Sequence, residues 1–405
     1  MNDDGISKLL CYNSSRSDLR VLTIRPYNHY YSRISHRTSL MAHDIPSADS
    51  GYQDHDSEFS SDDEQHFHVD ERSGRSFASK FVHTVIKPIK PKLVEFGQVS
   101  SADPTRCKPS RGARKRCDVE ERDIEGVWTY DLTPASPNGE KRSYARRILY
   151  FAGGGWQAPP TGQHWTFCAE IVHRLQDTRL TIVSYPLAPK DPVQDSFPAI
   201  CRTYNALLKE SSDLGERVIV AGDSSGGNIS LCVVTWTLRE QDVHAVKPPS
   251  AILAITPTTD LSHNNPDIKP VDKLDPILSE DAINDTAGKW APGPSNVDQQ
   301  DHQTQEGREK NGMLNWTVDD PRVSPIHADL TGCIRNKVKI HGITASHDVL
   351  GPEAVVFRER CRKEGIDGEW LSWADQMHCF PLAYKYGLKE SKQGLEWIVD
   401  VLKTC

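Results

Sequence analysis

Short apolar runs rich in β-branched residues alternate with longer amphipathic segments from about residue 124 to the C terminus. "RRILYFA" and "RVIVAGD" are examples of the runs, and "GQHWTFCAEIVHRLQ" carries its apolar residues at helical spacing. Strands that are buried on both faces of a parallel sheet show such continuous apolar runs, and helical crossovers join them. The pattern therefore predicts an α/β domain over residues 124–405, with a mostly parallel sheet between layers of helices.

Two segments interrupt or precede this alternation. Residues 257–323 have little periodicity and a polar centre that contains Gly and Pro, which is typical of a cap or loop inserted into an α/β domain. Residues 79–123 combine an apolar stretch with a basic cluster, and we expect them to form part of a cap or a linker. No aromatic residues interleave with the basic cluster and the formal net charge is -8, so we expect no nucleic-acid partner.

Residues 1–78 are predicted to be a disordered acidic tail. From Asp44 to Arg72 there are ten acidic residues and one Arg. A segment of this composition can bury too little apolar surface to offset the entropy that it loses on ordering. The acidic and His residues of this tail match no metal-ligand spacing, so we expect a solvated segment and no metal.

The location of the protein is predicted from its cysteines and from its hydropathy. The ten cysteines include no CxxC pair, which favours reduced thiols in a cytoplasmic protein over a disulfide framework. No apolar stretch approaches the ~18 residues that span a bilayer, so we expect no transmembrane segment.

The segment "GDSSG" at 222–226 places Ser224 between a predicted strand and a predicted helix. A sharp strand–turn–helix connection forces the central serine into strained backbone dihedral angles, and it requires small residues on both sides. Gly222 and Gly226 provide that clearance. This context indicates a nucleophile elbow with Ser224 as the catalytic nucleophile.

A serine nucleophile needs a base and an acid, which follow it along the chain in folds of this type. Asp348 and His378 each lie on a loop directly after a predicted strand, and parallel strands present such loops at one edge of the sheet. We expect His378 to accept the proton of Ser224 and Asp348 to orient His378. The alternative acids are Glu353 and Asp375, and the alternative bases are His341 and His347.

A glycine run, "FAGGGW" at 151–156, follows another buried strand. Consecutive glycines expose backbone N–H groups, which an oxyanion requires as donors. We expect the N–H groups of Gly154 and Gly155, with that of Ser225, to form an oxyanion hole. Trp156 is a candidate wall of the substrate pocket.

The sequence resembles the hormone-sensitive-lipase-like group of α/β hydrolases, which includes fungal esterases and steryl acetyl hydrolases. The matching pieces lie in order along the chain: "FAGGGW", "YPLAPKDP", "GDSSGGN", "DPILS", "DPRVSP", "SHDVL" and "QMHCF". The resemblance implies the α/β-hydrolase fold with an eight-stranded sheet and a helical cap. It also implies hydrolysis of short- to medium-chain carboxylic esters without a cofactor. The family usually has His-Gly-Gly-Gly in the glycine run, and Ala152 stands here in place of that histidine, which puts the rigidity of the loop in question.

The predicted function is that of a serine carboxylic-ester hydrolase, an esterase or deacetylase, acting on a small to medium apolar ester. Two alternatives use the same fold. One is a non-catalytic small-molecule receptor, as in the plant gibberellin receptors, but these lack the catalytic histidine and His378 is present here. The other is an acyltransferase, because the sequence does not rank water against other acyl acceptors.

Overall fold

The computed structural model describes residues 66–90, 103–136, 142–240, 246–292 and 316–405. Within these ranges nine strands form one sheet: β1 (Phe67–Arg72), β2 (Cys117–Ile124), β3 (Val127–Pro134), β4 (Arg146–Phe151), β5 (Thr178–Ser184), β6 (Arg217–Asp223), β7 (Ala251–Ile255), β8 (Lys339–His347) and β9 (Gly368–Met377). Their spatial order is β1-β9-β8-β7-β6-β4-β5-β3-β2. The pairings of β3 with β2 and with β5 are antiparallel and the others are parallel, which confirms the mostly parallel sheet.

The sheet has nine strands where eight were expected, and the two strands that the sequence pattern did not reveal are its edges. β1 reads "FHVDER" and β2 reads "CDVEERDI", and exposed residues interrupt both. An edge strand has a neighbour on one side only, so it does not need the continuous apolar run of a central strand.

The predicted tail extends too far. Residues 1–65 lie outside the described residues, but residues 66–78, which were assigned to the disordered tail, include β1 and the beginning of a helix. β1 pairs with β9 in parallel over its whole length, from Phe67 opposite Gly368 to Arg72 opposite Trp373. The disorder prediction is therefore wrong for residues 66–78, because ladder hydrogen bonds order a strand that its acidic sequence did not suggest.

Helices cover both faces of the sheet. In the described residues they are α1 (Phe77–Ile86), α2 (Arg111–Arg114), α3 (Gly162–Arg174), α4 (Val193–Asp213), α5 (Ser225–Glu240), α6 (Ile268–Asp272), α7 (Glu280–Trp290), α8 (Thr331–Arg335), α9 (Gly351–Lys363) and α10 (Lys389–Thr404). Short 3-10 helices span Lys87–Ile89, Pro325–His327 and Phe380–Tyr386. None of the helices in the described ranges is long and apolar enough to cross a membrane.

The alternation of side chains along the central strands builds two cores. Ile148 and Tyr150 of β4 pack into the cluster on the α3 and α10 side, whereas Leu149 and Phe151 pack into the cluster on the α4, α5 and α9 side. Successive residues of a strand point to opposite faces, so an apolar run such as "ILYF" fills both clusters. All nine cysteines in the described part of the chain are free thiols.

Within the inserted segment, residues 257–292 contain α6 and α7. Ser279 caps α7, since its Oγ atom accepts a hydrogen bond from Ala282 N at 3.2 Å. The segment contacts the chain that follows α1, where Lys90 Nζ lies 2.8 Å from Asp272 Oδ1. This contact supports the proposal that the two segments form a cap together.

Candidate active site

Ser224 lies at the junction of β6 and α5 in a left-handed backbone conformation, with φ of 54°. Its neighbours have no room for a side chain: a Cβ on Gly226 would lie 2.0 Å from Phe151 O, and one on Gly222 would lie 2.3 Å from Gly226 O. Ser224 N donates to Ile255 O at 2.9 Å, which fixes the turn against β7. The serine is therefore held in a strained conformation of the kind that a nucleophile elbow requires.

His378 and Asp348 are brought together by the loops after β9 and β8. His378 Nδ1 lies 2.8 Å from Asp348 Oδ2, and both residues are buried. The other ring nitrogen, Nε2, lies 3.4 Å from Cys379 Sγ. Ser224 and His378 line the same cavity, but among the described residues no hydrogen bond joins the Ser224 hydroxyl to the imidazole.

Burial alone would lower the pKa of His378, but the adjacent Asp348 carboxylate outweighs burial and holds this pKa well above its ordinary value. Burial raises the pKa of the Cys379 thiol, so this group is neutral beside Nε2, and its Sγ atom also donates to Asp223 Oδ2 at 3.6 Å. In the neutral form of the ring, the bond to Asp348 keeps the proton on Nδ1, so Nε2 is the nitrogen that can accept a proton.

The glycine run lines the same cavity as His378. Gly154 and Gly155 have φ of 139° and 57°, which favour glycine at both positions. Trp156 N donates to Ser225 Oγ at 3.2 Å, and this bond ties the end of the run to the first residue of α5. Gly154, Gly155 and Ser225 thus border one space next to Ser224.

Asp223, the residue before the serine, anchors the start of the glycine run, which the sequence did not reveal. Its Oδ1 atom accepts from Gly153 N at 3.1 Å and from Tyr150 Oη at 2.6 Å, and its Oδ2 atom lies 3.2 Å from His164 Nε2. Burial would raise the pKa of Asp223, but His164 and these hydrogen bonds keep it below its ordinary value. An ionised, buried Asp223 therefore holds the N–H group of Gly153 in place, and Tyr185 Oη donates a hydrogen bond to the carbonyl oxygen of Ala152 at 2.9 Å.

The cavity has a volume of about 410 Å³ and a mainly apolar wall. The inserted segment contributes much of this wall, namely Ile277, Leu278, Ala282, Ile283 and Thr286. Trp156 also lines the cavity, but its ring is only 2% exposed and stacks on Trp290 with 5.5 Å between centroids. Cavities of this size are typical of sites for small organic ligands.

The alternative acids and bases lie elsewhere. His347 pairs with Asp375 at 3.4 Å, and Glu353 pairs with His263 at 3.0 Å. His341 Nδ1 accepts from Glu369 N at 2.9 Å. None of the four alternatives lines the cavity. Within the described ranges, no group of three or more His, Cys, Asp or Glu residues is arranged to hold a metal ion.

Comparisons with known proteins agree with this architecture. The chain is 24% identical to an esterase from Acinetobacter venetianus over 263 residues, which are 64% of this chain and 75% of that protein. It is 29% identical to the hormone-sensitive lipase of Ictidomys tridecemlineatus over 173 residues, 41% of this chain and 21% of that protein. The crystal structure of a hormone-sensitive lipase from a metagenome library matches with a TM-score of 0.62 and 19% identity, over 80% of this chain and 98% of that chain.

A family model described as alpha/beta hydrolase fold matches residues 148–382, a range that contains both glycine clusters, Ser224, Asp348 and His378. The relatives named above are esterases and lipases. The predicted family is thereby confirmed: the chain belongs to the α/β-hydrolase fold family, in its hormone-sensitive-lipase-like group.

Proposed function

We propose that this protein hydrolyses a small to medium apolar carboxylic ester through an acyl-enzyme formed on Ser224. The observation that carries the proposal is the shared cavity: a serine in a left-handed turn and an imidazole that is bonded to a buried carboxylate face the same space. The esterases and lipases among the relatives support it.

The reaction begins with a small movement of His378. Its Nε2 atom leaves Cys379 Sγ and turns toward the Ser224 hydroxyl, while Nδ1–H continues to donate to Asp348. Nε2 takes the hydroxyl proton as the serine oxygen attacks the ester carbonyl carbon. The positive charge that forms on the imidazole is stabilised by the Asp348 carboxylate.

Attack places a negative charge on the former carbonyl oxygen. The N–H groups of Gly154, Gly155 and Ser225 are the proposed donors to this oxyanion, at the N terminus of α5 where the helix dipole also favours negative charge. The Asp223 hydrogen bond to Gly153 holds the strand end that presents these donors, so little reorganisation is needed during the reaction.

Collapse of the tetrahedral intermediate breaks the bond to the alcohol, which leaves with the proton from His378 Nε2. Water then enters, gives a proton to Nε2 and attacks the acyl-serine carbonyl carbon. The second tetrahedral intermediate collapses as the bond to Ser224 Oγ breaks, Nε2 returns its proton to Oγ, and the carboxylic acid departs. The apolar wall of the cavity favours an apolar substrate, and its volume of about 410 Å³ suits a short chain.

The test is hydrolysis of a series of p-nitrophenyl esters, from acetate to dodecanoate, by the wild type and by Ser224→Ala and His378→Ala. We expect the highest kcat/KM for short acyl chains and losses of about 10³-fold or more in both variants. The exposed His173→Ala serves as a matched control and should behave as the wild type. Hydrolysis by Ser224→Ala at the wild-type rate would refute the proposal, and so would a wild type that releases no p-nitrophenol.

The same assay separates hydrolysis from acyl transfer. When a primary alcohol is added, a hydrolase releases mainly the free acid, whereas an acyltransferase forms mainly the new ester. We expect the acid to dominate. A dominant new ester would leave the role of Ser224 intact and change the acceptor from water to an alcohol.

A further inference from the structure

Asp275 carries a fully buried carboxyl group that the reaction scheme above does not use. It is 0% exposed and lies between α6 and α7, in the segment inserted after β7. A buried carboxyl group is costly unless its oxygens accept hydrogen bonds, so its partners show what it holds in place.

The partners of Asp275 come from two different parts of the site. Its Oδ1 atom accepts from Ile277 N at 2.7 Å and from Leu278 N at 2.9 Å, and both of these residues line the cavity. Its Oδ2 atom accepts from Val349 N at 2.9 Å, and Val349 directly follows Asp348. One carboxyl group thus joins the cavity wall to the loop that carries the acid.

We propose that Asp275 is a positioning residue that fixes the Asp348 loop relative to the cavity wall, and through Asp348 sets the orientation and proton affinity of His378. The inference rests on the proposed function. The packing agrees with it, because Val349 and Leu350 form one apolar cluster with Ile268 and Ile283 of the inserted segment.

The electrostatics of the pair give this role a measurable signature. Burial and the nearby Asp348 carboxylate raise the pKa of Asp275 to about 7, and the N–H groups of Ile277 and Val349 and the charge of His378 oppose that rise. Since coulombic interactions are mutual, an ionised Asp275 favours the imidazolium form of His378. Another carboxylate of the segment, Asp272, accepts hydrogen bonds from Lys90 Nζ and Glu280 N instead.

The first test is Asp275→Asn, measured on p-nitrophenyl butyrate from pH 5 to 9. Asn has the same shape as Asp, but its NH2 group would replace the oxygen that accepts from Val349 N, so two donors would face each other. The substitution also removes one negative charge near His378. We expect kcat to fall by about 10- to 100-fold with KM changed less than threefold. We also expect the acid limb of the kcat/KM profile to move to lower pH by several tenths of a unit, which a purely structural role would not produce.

The second variant and the control separate charge from geometry. Asp275→Glu keeps the charge but is longer by one methylene group, so kcat should fall while the acid limb stays at its wild-type pH. Asp272→Asn removes the same charge from the same segment without contact to the acid loop. It should leave both kcat and the pH profile unchanged. If the Asn variant does not fold, the loss of kcat in the Glu variant decides the question alone.

The proposal is overturned if Asp275→Asn or Asp275→Glu retains the wild-type kcat. It is equally overturned if the activity of Asp275→Asn falls only as much as the amount of folded protein falls and the acid limb of its kcat/KM profile stays at the wild-type pH. Failure of the proposed function looks different, because the wild type would then not hydrolyse the ester at all.

Discussion

The Nε2 atom of His378 lies 3.4 Å from the Sγ atom of Cys379, the next residue along the chain. Cys379 adopts a left-handed conformation with φ of 50°, and its Sγ atom also lies 3.2 Å from Thr256 Oγ1. The imidazole therefore lies against a neutral thiol, and in the proposed mechanism it has to give up this weak contact before it accepts the proton of Ser224.

Replacement of Cys379 by glycine tests whether this contact restrains the base. Glycine tolerates a φ of 50° and removes the thiol that contacts Nε2, so we expect kcat to rise by up to about tenfold, which corresponds to one weak hydrogen bond. Steady-state kinetics on p-nitrophenyl butyrate measure it. A loss of more than tenfold would instead make the thiol part of the catalytic machinery.

Gly153 is predicted to accept no side chain. Its φ is not in the left-handed region, but a Cβ would lie 2.5 Å from Asp223 Oδ2 and 3.0 Å from Ser224 Cβ. Gly153→Ala should therefore displace the glycine run and lower kcat by about 100-fold, the usual effect of losing an oxyanion donor. Gly162→Ala is the matched control, because a Cβ at this position would meet nothing within 4 Å, and it should keep the wild-type kcat. Equal activities of the two alanine variants would contradict the bracing of the run by Asp223.

His164 is predicted to act through Asp223. His164→Ala removes the 3.2 Å contact between His164 Nε2 and Asp223 Oδ2. Without this contact the pKa of Asp223, whose carboxylate accepts from Gly153 N, should rise. We expect kcat to fall by about tenfold and the free energy of unfolding to fall by about 1–3 kcal/mol, measured by urea denaturation. His173→Ala, on the exposed face of the same helix, should change neither quantity. A His164→Ala variant with wild-type kcat would show that Tyr150 and Gly153 suffice to hold Asp223.

The sequence predicted those parts of the site that obey local rules. Ser224 stands in a strand–glycine–serine–glycine–helix context, and Asp348 and His378 follow strands, so their proposed roles and their order could be derived from the chain. His164 and Asp275 could not, because each has a decisive partner far along the chain, Asp223 at 59 residues and Val349 at 74 residues, and these contacts depend on how helices and loops pack. β1 and β2 were missed for a related reason, since edge strands lack the apolar run that marks the centre of a sheet.

Asp275 also makes a prediction about stability. Its pKa rises from its ordinary value of 3.8 to about 7 in the folded state, so between these values the folded protein holds a proton that the unfolded chain has lost. The resulting stabilisation is complete below about pH 4 and is lost as the pH rises through about 7. We therefore compare the free energy of unfolding of the wild type with that of Asp275→Asn. The wild-type value minus the variant value should be larger at pH 5 than at pH 8, by a few kcal/mol at most. If this difference in the free energy of unfolding is the same at pH 5 and at pH 8, the raised pKa of Asp275 is contradicted.

The most direct test of the central claim is covalent labelling by a fluorophosphonate, followed by mass spectrometry of the tryptic peptides. This reagent requires an activated serine and an oxyanion site, and it does not depend on knowing the natural ester. We predict one adduct on Ser224 in the wild type, no adduct in Ser224→Ala and labelling slowed by about 10³-fold in His378→Ala. A label on another residue, or equal labelling of the wild type and Ser224→Ala, would contradict the assignment of Ser224 as the nucleophile.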